Sequence, residues 1–136
     1  MRIESFKTVV EGCVRAEALV SAVPLSFWGG VNVATGAVQD VHHDLCGQCM
    51  TGKVLCIPFD RGSCSGSGVM LEMIRSGTSP AALLCVEAEP VLALAPLVGS
   101  TLYGRGLPIR TVSREDFDRI PPGSTVTFAE DAIVVE

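Results

Sequence analysis

The sequence predicts one α/β domain with a mixed, partly parallel sheet. Three observations predict it. Two near-continuous apolar runs, Val54–Ile57 and Ala81–Val86, read as strands buried on both faces, as parallel strands are. Between them Val69–Arg75 reads as a helix that ends at Gly77. The length of 136 residues suits a single domain, spanning 1–136, with no linker, repeat or low-complexity tract.

The elements follow in order. Phe6–Val10 and Val14–Val20 are β-like runs divided by Glu11-Gly12-Cys13, either a hairpin or one strand bent at a glycine bulge. Pro24-Leu25-Ser26-Phe27-Trp28-Gly29-Gly30 breaks the pattern. Two readings stand there: Trp28 plugs the core beneath a turn, or Gly29 and Gly30 let the backbone approach a ligand. Asn32–Gly36 is a turn and Ala37–Val41 a short strand. Val54–Ile57 leads into a loop of small residues, and Ala81–Val86 is the next buried strand. Glu89-Pro90 opens a helix over Val91–Leu97 that Pro96 must kink or end. Leu107–Val112 is a strand, with Pro108 at its start. Ser113 caps a short helical turn whose first residues include Glu115 and Asp116, as the helix dipole prefers. Pro121-Pro122-Gly123 turns sharply, and Thr125–Phe128 pairs with Ala132–Val135 as a closing hairpin. The repeated strand–helix–strand order is what makes part of the sheet parallel.

Composition narrows the function. Hydrophobic residues are 48% and charged ones 18%, which implies that some apolar surface meets a partner. Ten scattered basic residues against fifteen acidic ones argue against nucleic acid. No run reaches the ~18 apolar residues of a membrane span, and Met1-Arg2-Ile3-Glu4 does not open a secretory signal. All six cysteines are therefore expected reduced, in the cytoplasm.

The stretch that carries chemistry is Asp60-Arg61-Gly62-Ser63-Cys64-Ser65-Gly66-Ser67-Gly68. It follows a strand and precedes a helix. Backbone N–H groups at such a helix start are unpaired and sit at the positive end of the dipole, where a carboxylate or developing alkoxide is stabilised. The stretch lacks the Gly-Lys-Ser/Thr ending of a nucleotide-phosphate loop and the Gly-x-Gly-x-x-Gly of a dinucleotide site. A serine there is a base only when its alkoxide is strongly stabilised, which fits proton abstraction beside a carboxylate. No second acid–base group accompanies it, so the chain carries half a site and a partner completes it. His42, His43, Cys46 and Cys49 could be read as zinc ligands. Adjacent histidines turn poorly toward one ion, Asp44 competes and there is no second cysteine pair, so the zinc reading is the weaker one.

Pro24-Leu25-Ser26-Phe27-Trp28-Gly29-Gly30-Val31, then Thr35-Gly36, Asp40, His42-His43, Gly47 and the block Arg61–Gly68 resemble the small, swivelling subunit of the aconitase X family. The resemblance runs from about Val20 to Ile109. It implies a compact swivelling β/β/α fold that docks on a large catalytic subunit. That partner holds an iron–sulfur cluster or iron, while this chain holds no cofactor. The complex dehydrates a small hydroxy or imino acid. By the same resemblance Ser63 is the general base. Arg61, Gly62, Cys64 and Ser65 contact substrate, and Gly29, Gly30 and His43 line the same cleft. Gly62-Ser63-Cys64-Ser65-Gly66-Ser67 resembles the branch acting on cis-3-hydroxy-L-proline more than the archaeal branch acting on mevalonate 5-phosphate. Cys46 and Cys49 depart from the family's pattern. A non-catalytic regulatory module with the same fold is the reading of a different class.

Overall fold

The computed structural model describes residues 1–59, 64–88 and 90–136, with backbone alone at 64, 65 and 90. Eight strands lie in one sheet: β1 (Arg2–Ile3), β2 (Lys7–Val10), β3 (Val14–Val20), β4 (Val54–Cys56), β5 (Ala82–Cys85), β6 (Ile109–Thr111), β7 (Thr125–Phe128) and β8 (Ile133–Val135). Their spatial order is β1-β8-β7-β3-β4-β5-β6-β2. The pairs β3–β4, β4–β5 and β5–β6 are parallel and the others antiparallel, as a mixed, partly parallel sheet requires.

β2 and β3 do not pair, so the hairpin is excluded. They bound the run β3-β4-β5-β6-β2, yet only Glu11-Gly12-Cys13 joins them. Four strand spacings of a flat sheet span about 19 Å, whereas the link from Val10 to Val14 reaches at most ~14 Å. This part of the sheet must therefore curl until β2 comes back toward β3. Gly12 makes the bend at φ +152°, and a Cβ there would come within 2.5 Å of Pro108 Cγ, at the start of β6.

The curl divides the interior in two. Successive side chains of a strand point to opposite faces. In β4 and β5, Leu55, Leu83 and Cys85 enter a core roofed by helices, which also holds Met70, Met73 and Ile74. Val54, Cys56, Ala82 and Leu84 enter a second core inside the curl, with Phe117, Phe128 and Ile133.

The helices are α1 (Phe27–Gly30), α2 (Cys64–Ser76), α3 (Leu94–Tyr103) and α4 (Arg114–Asp118), with a 3-10 turn over Pro90–Ala93. α2 ends as its sequence dictates. Gly77 takes φ +78°, its N–H bonds Ile74 O at 3.3 Å, and Thr78 N–H bonds Met73 O at 2.9 Å, a Schellman motif. α4 is capped as expected, with Ser113 Oγ accepting from Asp116 N–H at 3.2 Å.

Three local expectations change. Ala37–Val41 forms no strand; Ala37 and Val38 make isolated bridges to Cys49 and Val31. Pro96 neither kinks nor ends its helix. It is the third residue of α3, within the first turn, where a backbone N–H has no intrahelical partner to lose. The chain absorbs the break earlier, in the 3-10 turn, and α3 runs on to Tyr103. The small-residue stretch is also not loop to its end, because α2 already includes Cys64 to Gly68. Ser67 Oγ donates to Val91 O at 2.9 Å and fastens this early turn to the 3-10 segment.

Candidate active site

Ligands of parallel α/β sheets gather where strands give up their carboxyl ends. Here three loops meet at that edge. Ser21 N–H, just past β3, bonds Cys56 O at 2.9 Å. Past β4, Pro58 O accepts from Val86 N–H at 2.9 Å and Glu87 N–H at 3.1 Å, just past β5. The segments after β3, β4 and β5 are thus tied side by side. The segment after β4 continues to the residues before α2.

Ser63, Arg61 and Gly62 lie outside the described residues, as do the side chains of Cys64 and Ser65. The described frame places Cys64 as the first residue of α2, a thirteen-residue helix that follows β4 in the chain. Of the hydroxyls singled out, Ser67 is committed to Val91 O.

The loop after β3 is held from beneath. Ser21 is fully buried, and its Oγ donates to Asp44 Oδ1 at 2.6 Å. Asp44 Oδ2 accepts from Ala22 N–H at 3.2 Å. His43 is buried beside it. Leu45 N–H donates to Nδ1 at 3.0 Å, so the ring proton sits on Nε2 and goes to Pro24 O at 3.1 Å. Nε2 therefore braces the segment that leads to Gly29 and Gly30, while Nδ1 holds the ring in its own turn at Leu45. The Ser21–Asp44 bond has no local signal in the sequence: Ser21 closes an apolar strand run, and Asp44 stands out only as a neighbour of the histidines.

Gly29 takes φ +78°, and nothing lies within 4 Å of where its Cβ would be. Glycine is needed there for the backbone turn, and the space above it is open. Gln39 fixes the pair: its side-chain N–H donates to Gly29 O at 3.1 Å and its backbone N–H to Gly30 O at 2.9 Å. Trp28 does not plug the core. It is 65% exposed, and Phe27, fully buried, fills that place. A one-residue offset on an irregular turn decided which aromatic turned inward. With Trp28, the exposed side chains of Val23, Val41 and Phe59 give this region an apolar rim.

Cys46 and Cys49 are surface thiols. Hydrogen bonding by Thr51 lowers the Cys49 thiol below its ordinary pKa. Burial instead pushes Cys56 up to about 12. Among the described residues no group of three or more His, Cys, Asp or Glu is placed to hold a metal ion. Among them, too, no helix is long and apolar enough to cross a membrane.

Comparison with known proteins adds the following. The family model described as the aconitase X swivel domain matches residues 4–136. The chain is 45% identical over 114 residues to a cis-3-hydroxy-L-proline dehydratase of Pseudomonas aeruginosa, covering 84% of this chain and 20% of that one. It thus spans about a fifth of the length of that relative. It is 50% identical over 90 residues to the phosphomevalonate dehydratase small subunit of Methanopyrus kandleri, covering 66% of this chain and 67% of that one. The crystal structure of Thermococcus kodakaraensis aconitase X in its holo-form superposes with a TM-score of 0.87 at 28% identity, covering 100% of this chain and 98% of that one.

Proposed function

We propose, for a chain that belongs to the aconitase X swivel-domain family, that it is the small subunit of a hydro-lyase whose substrate is cis-3-hydroxy-L-proline. The observation that carries this reading is where α2 begins. Its first residue, Cys64, directly follows Arg61-Gly62-Ser63 in the chain, which continues the segment after β4 that is tied to those after β3 and β5. The free N–H groups of a helix start suit a substrate carboxylate. A serine beside them gains the stabilisation its alkoxide needs.

In this reading Ser63, as the alkoxide, takes the proton from the α-carbon. The electron pair released forms the C2–C3 double bond, the C3–O bond breaks, and the oxygen leaves as water after taking up a proton. The product is a pyrroline-2-carboxylate. Arg61, Gly62, Cys64 and Ser65 hold the carboxylate, with Gly29 and Gly30 forming the opposite wall and His43 bracing it. The remaining four-fifths of the fused relative's length supports a large catalytic partner for this chain. The iron–sulfur centre or iron belongs to that partner, where it would assist departure of the hydroxyl. Its compartment, on this reading, is the cytoplasm. Closure of this domain on the partner excludes water from the reaction.

Phosphomevalonate dehydration is the second reading, favoured by the 50% identity to a separate small subunit. The hydroxyproline reading has the longer match, 84% of this chain against 66%. The test is to co-express the chain with candidate large subunits and follow loss of both substrates. Loss of the imino acid only when both chains are present is expected. Ser63→Ala is expected to remove nearly all turnover while the complex still forms; full turnover would rule out Ser63 as base and favour the regulatory reading. Loss of mevalonate 5-phosphate instead would select the second reading.

A further inference from the structure

Arg110 is the one arginine among the described residues that is buried, at 4% exposure. It sits in β6, between the buried Ile109 and the half-buried Thr111. Its guanidinium lies between two phenyl rings, 4.5 Å from the centre of Phe6 and 4.8 Å from that of Phe128. Nη1 donates to Ala132 O at 3.1 Å, and Nε has no partner. Burial lowers its pKa, yet a guanidinium stays charged at neutral pH. Stacking on phenyl faces offsets part of the cost of burying this charge, but it satisfies no N–H. A buried charge without a carboxylate or an equivalent acceptor is a costly arrangement.

Beside it is a cavity of about 240 Å³, lined by Arg110, Thr8, Glu11, Gly12, Cys13 and Glu130. It opens at the amino-terminal end of β3, away from the edge where the loops after β3, β4 and β5 meet. Nη1 is occupied and Nε is buried without a partner, so a ligand in the cavity meets the guanidinium at Nη2, where a carboxylate oxygen is a fitting acceptor. The same wall carries Glu11 and Glu130, both exposed and without an ion pair among the described residues. Two carboxylates repel a dianion such as phosphate and weaken a simple monoanion. They attract an ammonium. A cavity with one buried cation at its base and two carboxylates on its wall is complementary to a molecule that carries both charges a few ångströms apart.

We propose that this cavity binds a free α-amino or α-imino acid as the zwitterion, its carboxylate on Arg110 and its ammonium between Glu11 and Glu130. The site does not depend on the reaction proposed above, because it shares no residue with it.

The test uses the full chain, titrated with glycine, L-proline, acetate and inorganic phosphate, by calorimetry and by backbone amide shifts. Saturable binding of glycine or L-proline is expected, with shifts at Thr8, Gly12, Cys13 and Arg110. Acetate should bind roughly tenfold more weakly or not at all, the difference a charge-assisted ammonium contact makes. Arg110→Met is expected to fold, since an apolar side chain replacing a buried charge is commonly tolerated. It should weaken amino-acid binding by roughly tenfold or more. The exposed double variant Glu11→Gln, Glu130→Gln should weaken the amino acids and leave or strengthen acetate. The proposal is overturned by no saturable binding of either amino acid, by unchanged affinity in either variant, or by phosphate binding more tightly than the amino acids.

Discussion

Val54 and Leu55 are neighbours in β4 and both are fully buried, yet they enter different interiors. Leu55 joins the helix-roofed core, which the side chains of α2 and the loop after β3 fill with aliphatic groups, Met and Phe27. Val54 joins the core within the curl, which holds Phe117 and Phe128 and abuts the guanidinium of Arg110. The first core is made by an amphipathic helix laid on a sheet, and its buried members among the described residues are aliphatic, Met, Cys and Phe side chains. The second is made by a sheet bending round on itself, and its bend leaves room for a cation stacked on rings. Burial alone does not distinguish the two; their chemistry does.

Substitutions can break that contrast. Phe128→Ala should cost most, about 3–5 kcal/mol, because it opens the curl and also strips one face from Arg110; urea unfolding measures it. Leu55→Ala, on the helical side, should cost about 2–5 kcal/mol. An equal loss in both, with Arg110 binding unaffected, would mean that the two interiors behave as one. Gly99→Ala tests how closely α3 sits on α2. A Cβ there would lie 2.9 Å from Ile74 Cγ2 and 3.1 Å from Arg105 O, so a loss of about 1–3 kcal/mol is expected. A lowered thermal midpoint with native circular dichroism would confirm it; no change would show that the helices slide apart freely. Ser113→Ala removes the α4 cap at the carboxyl end of β6 and should cost ~1 kcal/mol. Trp28→Ala should change stability by less than about 0.5 kcal/mol, since the ring is in water. A large loss there would return Trp28 to the core.

Much of the architecture was legible because it is written locally. The apolar runs of β4 and β5, the Gly77 stop, the Ser113 cap and the closing hairpin each depend on residues a few positions apart. The strand–helix–strand order implied parallel pairing, and β3 to β6 pair that way. Of the candidate site, the structure ties His43 to Pro24 O, and Gln39 to Gly29 O, in the segment after β3; Arg61, Gly62 and Ser63 lie outside the described residues. Cys64 to Gly68 look like loop in the sequence because Ser and Gly have poor intrinsic helix preference, and a tertiary tie at Ser67 outweighs that preference.

By itself the sequence determined the buried strands β4 and β5, the Gly77 stop of α2, the Ser113 cap, the closing hairpin, and which stretch follows a buried strand into a helix. Periodicity, capping and glycine's backbone freedom act within one turn or a few residues, so they survive in the linear order. Only the tertiary structure decided that β2 and β3 part to opposite ends of a run, that Trp28 faces water while Phe27 is buried, and that Arg110 is buried against a cavity. Each of those depends on what a distant segment packs against, through curl and enclosure that no local pattern encodes.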